Sequence, residues 1–419
     1  MTAERICKLI EDRKEELFSL LSSYVKINSE NFDTDGNEEA LAEEISRQCR
    51  ALGLEAETYS PMELENFDAH PDYMPGRSLE HRPNVTARWR GEEDLDELML
   101  MGHLDTVPIG DLASWEGDPL SGEIRDGKIY GRGACDDKYA LATAVFIIKL
   151  LKEEGFLPKK NLLFTGYCDE ERGGSHGALA SALRYPANRT VNMDGRKHQI
   201  WHCASGGGEI RYLFHAKGTV DSAGVVAAGI PVVLDAMKAF GKRREAELAT
   251  NPYYSGTNIP KTSLRYMQVK AGNMGQDLGK GEVLFVFYTD KTKEEIYREL
   301  SELEEVLAAR LAPLGIVGDG FAPLTRFFHY TACDPRDQAI LDFSDAMQEA
   351  VGERPLVCGS CLSDLSVIGK YSGGSAFAYG CGRDFSLPGG PHQPNEYMDC
   401  ESLVEFAKII AAYVVKVLG

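Results

Sequence analysis

The chain reads as an α/β protein, a mostly parallel sheet with helices on both faces, carrying an inserted ferredoxin-like α+β domain. Three observations predict this. Short apolar runs alternate with helical patterns in the first half of the sequence and again near its end. After GGG at 206–208 the order changes to β-α-β-β-α-β. The 419 residues exceed what one ordinary core organises.

Taken in order, Ile6, Leu9, Ile10, Leu17, Leu20, Leu21 and Val25 recur at roughly helical spacing, and a second helix covers Glu38 to Leu52, ending at Gly53. Leu54 to Tyr59, Asn84 to Arg90 and Leu98 to Gly102 read as strands. Between the first two lies PMELENFDAHPDYMPGRSLEHRP, with three prolines before Arg82, read as a surface loop or an active-site cover. Tyr139 to Lys152 reads as a buried helix, with strands at Asn161 to Cys168 and Thr190 to Met193.

In the insertion, Glu209 to Ala216, Thr262 to Val269, Glu282 to Thr289 and Leu324 to Tyr330 read as strands. Its helices are Val225 to Phe240 and Thr292 to Leu311. The second presents Ile296, Leu300, Leu303, Val306, Leu307 and Leu311 on one face. The expected division is 1–206 and 331–419 for a catalytic domain and 207–330 for the inserted one. The α/β pattern resumes near Asp337 and closes with an apolar helix, Ser402 to Leu418.

A formal net charge of −20 argues against a nucleic-acid partner, whose phosphates would be repelled. The opening MTAERICKLIEDRKEEL lacks the apolar core of a signal peptide, and no unbroken apolar run reaches the ~18 residues that span a bilayer. The expectation is a cytoplasmic protein without membrane contact. Ten cysteines in this length do not make a disulfide scaffold. Cys358 and Cys361 form a single C-x-x-C with no second pair, so neither a zinc ribbon nor a thioredoxin pattern follows. No P-loop is present.

Five segments carry chemistry. MGHLDTVP puts His103 and Asp105 two apart, on one face if the strand runs straight; a metal-binding imidazole commonly gives its second N–H to such a carboxylate. YGRGACDDK offers Asp136 or Asp137 as a ligand. GYCDEERGG sets Asp169, Glu170 and Glu171 at a strand end, where like charges repel unless cations or protons compensate. Of Glu170 and Glu171, one can serve water and the other metal. VNMDG places Asp194 at a strand end, and GGPHQPNE places His392 in a loop. Two imidazoles with several carboxylates suit zinc, or manganese or cobalt. Two such ions ~3.5–4 Å apart clamp the attacking and leaving atoms of a hydrolysis.

These segments, in this order, resemble the M20 family of metallopeptidases and aminoacylases, through GHLDTVP, YGRGACDDK, DEERGG and PHQPNEY. The likeness covers nearly the whole chain and is nearest the bacterial dipeptidase and deacylase branches. It implies two divalent ions and hydrolysis of an amide-type C–N bond in a small-molecule substrate. It also implies roles for particular residues. His103 and Asp194 bind one ion, Glu171 and His392 the other, and Asp136 bridges them. Asp105 orients His103, and Glu170 is the general base. A cis peptide is implied at Asp136–Asp137, and a homodimer through the inserted domain.

The resemblance weakens in substrate recognition. Ser222 stands where the family's inserted domain usually supplies a His, in KGTVDSAG. Phe287 or Tyr288 stands where many members place an Arg, late in NMGQDLGKGEVLFVFYTD, and Gly229, Ile230 and Pro231 alter a third position. His202, His215, Arg211, Arg265 and Arg383 are candidate substitutes. Arg383 ranks first, because YGCGRDF precedes the His392 loop. Besides a dipeptidase or deacylase, the residues admit a deaminase or ring-opening hydrolase, and a non-catalytic binding protein that kept the fold.

Overall fold

The long apolar runs of the first half assemble one mixed sheet. A computed structural model describes residues 1–218, 220–274 and 277–419. Thr219, Gly275 and Gln276, which fall in the KGTVDSAG and NMGQDLGKGEVLFVFYTD stretches, lie outside the described residues. The chain divides into two compact units. One comprises Met1–His202, Ala332–Cys358 and Val367–Gly419, the other Cys203–Thr331 and Gly359–Ser366.

In the first unit the strands run in the order Glu55–Tyr59, Asn84–Trp89, Lys160–Tyr167, Glu93–His103, Arg189–Asn192 and Ser375–Ala378. The centre is parallel: Glu93–His103 pairs in parallel with both Lys160–Tyr167 and Arg189–Asn192, and the latter with Ser375–Ala378. The first two strands pair antiparallel. Strands buried on both faces need continuous apolar sequence. LMLM at 98–101 and LLF at 162–164 meet that demand. Helices Lys138–Glu153 and Cys400–Leu418 are buried along nearly their whole length and share the core with Leu98, Leu100 and Phe164. Truncating Leu100 to Ala in such packing costs ~2–5 kcal/mol.

The first helical stretch is two helices, Ala3–Asp12 and Lys14–Val25. Arg13 leaves helical geometry at φ −120°, and its guanidinium binds Glu16 and Glu153. Apolar spacing does not register a one-residue break.

The second unit holds a four-stranded antiparallel sheet in the order Leu264–Met274, Asp277–Thr289, Gly206–Ala216, Ile316–Pro323, with helices Ser222–Thr250 and Lys293–Leu311. That is the ferredoxin-like arrangement. Its last strand is Ile316–Pro323 and not the expected Leu324–Tyr330, which makes an isolated bridge, Gly207 with Phe328, and one further backbone bond, Leu324 N to Glu209 O at 2.9 Å. IVGDGFAP is poor strand sequence, and a bulge at Gly318/Gly320 absorbs its glycines.

Helix Lys293–Leu311 opens with a Thr292/Glu295 capping box and buries Ile296, Leu300, Leu303, Leu307 and Leu311, while Val306 is exposed. Helix Ser222–Thr250 runs ten residues past the expected end. Among the described residues it is the one helix long and apolar enough, by length and composition, to cross a bilayer. Its Val226, Val233, Met237 and Phe240 are instead buried in the core of their own unit.

Candidate metal centre

Three strand ends, the turn before one helix and one loop deliver the candidate ligands, all within the first unit. His103 is the last residue of Glu93–His103 and is fully buried. Its Nε2 lies 3.0 Å from Asp136 Oδ1. Its Nδ1 lies 2.9 Å from the Asp105 carbonyl oxygen and 3.6 Å from the Asp105 carboxylate. The ring is thus held mainly by the backbone of Asp105. The Asp105 carboxylate accepts instead from the backbone N–H of Glu170 (3.2 Å) and of Glu171 (3.0 Å), and from Asn31 Nδ2 (2.6 Å). A straight strand would put His103 and Asp105 on one face. The strand ends at His103, and that frees the Asp105 side chain to organise the next segment.

Asp136 lies in the turn that precedes helix Lys138–Glu153, and the Asp136–Asp137 peptide is cis. This turn is fixed from afar. Arg132 pairs with buried Glu396 at 2.7 Å, and Glu396 also accepts from Cys135 N at 3.0 Å. Gly133 takes a left-handed φ of +82°, and a Cβ there would sit 2.6 Å from Thr106 Cγ2, so the glycine is required. The two aspartates, left open by the sequence, divide their work. Asp136 faces the imidazoles. Asp137 turns inward, where its Oδ2 accepts from His103 N at 3.2 Å and its buried Oδ1 has no hydrogen-bond partner among the described residues. Burial pushes the Asp137 carboxyl well up, with the charges of Asp194 and Asp136 adding to it.

His392 sits in its loop at φ +63°. Its Nε2 is 3.2 Å from Asp136 Oδ2 and 2.7 Å from Glu171 Oε2. Asp136 therefore offers one oxygen to each imidazole. Ligand atoms of His103, Asp136 and Glu171 all lie within 4.8 Å of one another, and His392 joins this group through Asp136 and Glu171. Asp194 follows strand Arg189–Asn192. The N–H of its neighbour Met193 donates to Met101 O at 2.7 Å, which seats the turn beside the His103 strand. The ligand-atom group itself does not include Asp194. Glu170 stands in the same turn as Glu171, and its charge acts on His103.

The electrostatics define what fits. Burial alone would strip a proton from His392, yet Glu171 and Asp136 drive its pKa up to about 11. His103 is likewise raised, with Asp105 and Asp136 overcoming burial. Burial works against ionised Asp136 too, but the two imidazoles hold it well below the usual carboxylate range. This buried pocket of carboxylates demands positive charge between its donors. Imidazole nitrogens and carboxylate oxygens converging there are a donor set that a divalent transition ion satisfies.

Several candidate substrate contacts have protein partners of their own. The Arg383 guanidinium donates to Asp399 (3.3 Å) and Pro388 O (3.2 Å) and stacks 3.8 Å from the Tyr397 ring centre. His202 Nδ1 is 2.8 Å from Cys333 O, and His215 pairs with Asp319 at 2.8 Å. In the second unit, Ser222 is buried at the start of its helix, and Arg265 donates to the Tyr288 hydroxyl at 2.6 Å. Sequence reasoning passes over Asn31, Arg77, Arg82 and His176, which surround Asp105 and Asp169. No local spacing announces them.

Residues 99–416 match the family model described as Peptidase family M20/M25/M40. An uncharacterized metallohydrolase of Methanocaldococcus jannaschii is 22% identical over 95% of this chain and 98% of its own length. A succinyl-diaminopimelate desuccinylase of Parvibaculum lavamentivorans is 37% identical, over 25% of this chain and 24% of that enzyme. Among solved structures, the di-peptidase Dug1p of Saccharomyces cerevisiae superposes with a TM-score of 0.72 at 17% identity, covering 99% of this chain and 98% of that one.

Proposed function

The chain belongs to peptidase family M20/M25/M40 and is a metal-dependent hydrolase; from that premise we propose that it cleaves the amide C–N bond of a dipeptide or N-acyl amino acid-like compound, with Glu170 as general base. The observation that carries this reading is Asp136, whose two oxygens lie 3.0 and 3.2 Å from two separate imidazoles. His103 and Asp194 would hold one ion, Glu171 and His392 the second, with Asp136 shared. Zinc suits these donors best, with manganese or cobalt as alternatives. Such ions, when bound, polarise an amide carbonyl and make water acidic near neutral pH.

The protein's own groups do the rest. Glu170 takes the proton of the attacking water and passes it to the departing nitrogen. Asp105 fixes the backbone from which Glu170 projects, and its carbonyl keeps the His103 proton on Nδ1, leaving Nε2 directed at Asp136. Buried Asp137 braces the strand end through His103 N.

A second reading, hydrolysis of a non-peptide C–N bond as in a deaminase or ring-opening enzyme, draws support from one observation. Phe287 or Tyr288 stands where the family resemblance implies a carboxylate-binding Arg, and the Tyr288 hydroxyl accepts from Arg265. Ten free cysteines suit the reducing cytoplasm. A homodimer through the second unit is part of the same proposal, since edge strand Leu264–Met274 exposes Tyr266, Met267 and Val269.

The test is a mixed panel of dipeptides, N-acetyl, N-formyl and N-succinyl amino acids, lactams and aryl amines. It is given to zinc- or manganese-loaded protein and read by mass spectrometry against Glu170→Ala. Turnover of a dipeptide or N-acyl amino acid that falls ~10²–10⁴-fold in the variant supports the proposal. Turnover of only the lactams or amines moves the assignment to the second reading, and equal turnover by both proteins removes Glu170 as the base.

A further inference from the structure

Residues 61–83 are the stretch expected as a surface loop or a cover. They contain two short 3₁₀ turns, Pro61–Glu63 and Phe67–Ala69, and then send two arginines into the interior. Arg77 and Arg82 both reach Asp169, which is fully buried and immediately precedes Glu170. Arg77 Nη2 donates to Asp169 Oδ1 at 2.5 Å and Arg77 Nε to the same oxygen at 2.9 Å, while Arg82 Nη2 lies 2.8 Å from it. On the other oxygen, His176 Nδ1 sits at 2.5 Å. The His176 Nε2 accepts from Met74 N at 3.2 Å, so the proton of a neutral ring is on Nδ1 and donates to Asp169. Buried Glu38 balances the second guanidinium, at 2.7 Å from Arg82 Nη2.

A second path leaves the same arginine. Arg77 Nη2 donates to Asn31 Oδ1 at 2.9 Å, and Asn31 Nδ2 donates to Asp105 Oδ2 at 2.6 Å. Asp105 in turn accepts the backbone N–H groups of Glu170 and Glu171. The turn is thus held at the side chain of residue 169 and at the amides of residues 170 and 171, and both holds converge on Arg77. Asp169 also adopts a left-handed φ of +63°, a conformation a non-glycine residue keeps only with support.

The loop is itself docked. Tyr73 packs on His176 with ring centres 4.8 Å apart, and Asp72 accepts from the Tyr371 hydroxyl at 2.6 Å.

We infer that Arg77 and Arg82 are positioning residues that lock the Asp169–Glu171 turn in place. Residues 61–83 thereby become a strut for the general base. This rests on the reading of Glu170 given above. Arg77 acts through Asp169, Asn31 and Asp105, and its planar fork supplies several directed donors at once, which a lysine ammonium does not reproduce.

The experiment compares full-length, metal-loaded wild type with Arg77→Ala and Arg77→Lys. The first readout is hydrogen–deuterium exchange of peptides covering 168–175 and 61–83. The second is kcat and KM on the amide found by the panel, with guanidinium ion added back to Arg77→Ala. We expect exchange in 168–175 to accelerate ~10-fold in both variants. We expect kcat to fall ~10²-fold, as for a misplacement of about 1 Å, with KM within threefold and partial rescue by guanidinium. Exchange that rises only in 61–83, with 168–175 and kcat as in wild type, overturns the inference. Should Arg77→Ala not fold, Arg77→Lys decides by the same readouts. Should no amide be hydrolysed even by wild type, the amide-hydrolase reading falls, and the exchange in 168–175 still judges the strut.

Discussion

Gly174→Ala isolates the Asp169 cluster by a purely steric change. Gly174 is outside the left-handed region, so alanine meets no backbone penalty there. The added Cβ, however, would lie 1.8 Å from Asp169 Oδ2, 2.7 Å from its Cγ and 3.0 Å from Arg77 Nε. Real Cβ contacts do not fall below 3.0 Å, so the carboxylate has to retreat by about 1.2 Å. Oδ2 is the atom that accepts from His176 at 2.5 Å. A retreat of that size breaks this bond and skews the Arg77 fork. Disrupting a buried charge pair costs ~3–5 kcal/mol, and replacing glycine returns ~0.4–1 kcal/mol through the unfolded chain. The net loss is therefore ~2–4.6 kcal/mol.

Urea unfolding followed by tryptophan fluorescence reads this directly, because Trp89, Trp115 and Trp201 all belong to the first unit. Excess chelator keeps metal binding out of the comparison. A loss below ~1 kcal/mol at unchanged m-value would refute the reasoning, for it would mean that Asp169 moves without consequence.

Asp136→Asn is expected to weaken retention of both ions by more than the ~10–100-fold typical of losing an outer partner, and elemental analysis after gel filtration against chelator checks it; retention of two ions per chain would take Asp136 out of the centre. Arg383→Ala loses two hydrogen bonds and a ring stack, so thermal unfolding should show ~1–2 kcal/mol of destabilisation with KM unchanged; a tenfold rise in KM at full stability would return Arg383 to substrate binding. The Arg13 hydrogen bond, with help from Lys149 and against burial, lowers Glu16 from 4.5 to about 2. Because the folded value lies below the unfolded one, the stabilisation is complete above pH 4.5 and disappears as pH falls through about 2. Carboxyl NMR titration should find that midpoint, and Lys149→Met should raise it.

The candidate ligands were legible because each sits in a short segment at a strand end or in a loop, where the glycines and carboxylates lie side by side in sequence. The support around them was not. Arg77 and Asp169 are 92 residues apart, and nothing in either neighbourhood specifies the other. The DEE run has the look of a repulsive cluster needing cations. The structure answers part of that charge with protein guanidinium groups and leaves Glu171 facing Asp136 and His392. Strand Ile316–Pro323 is hidden by its glycines, aspartate and proline, while the more apolar Leu324–Tyr330 beside it attracts the assignment. Val306 satisfies the helical spacing and still faces solvent, since spacing fixes a stripe but not its width.

The buried Arg132–Glu396 pair joins segments separated by 264 residues, with the whole second unit encoded between them. A ribosome therefore makes His103, Asp136 and Glu171 long before it makes His392 and the carboxylate that braces the Asp136 turn. A chain that stops within the second unit therefore lacks both His392 and the Glu396 carboxylate that holds the Asp136 turn.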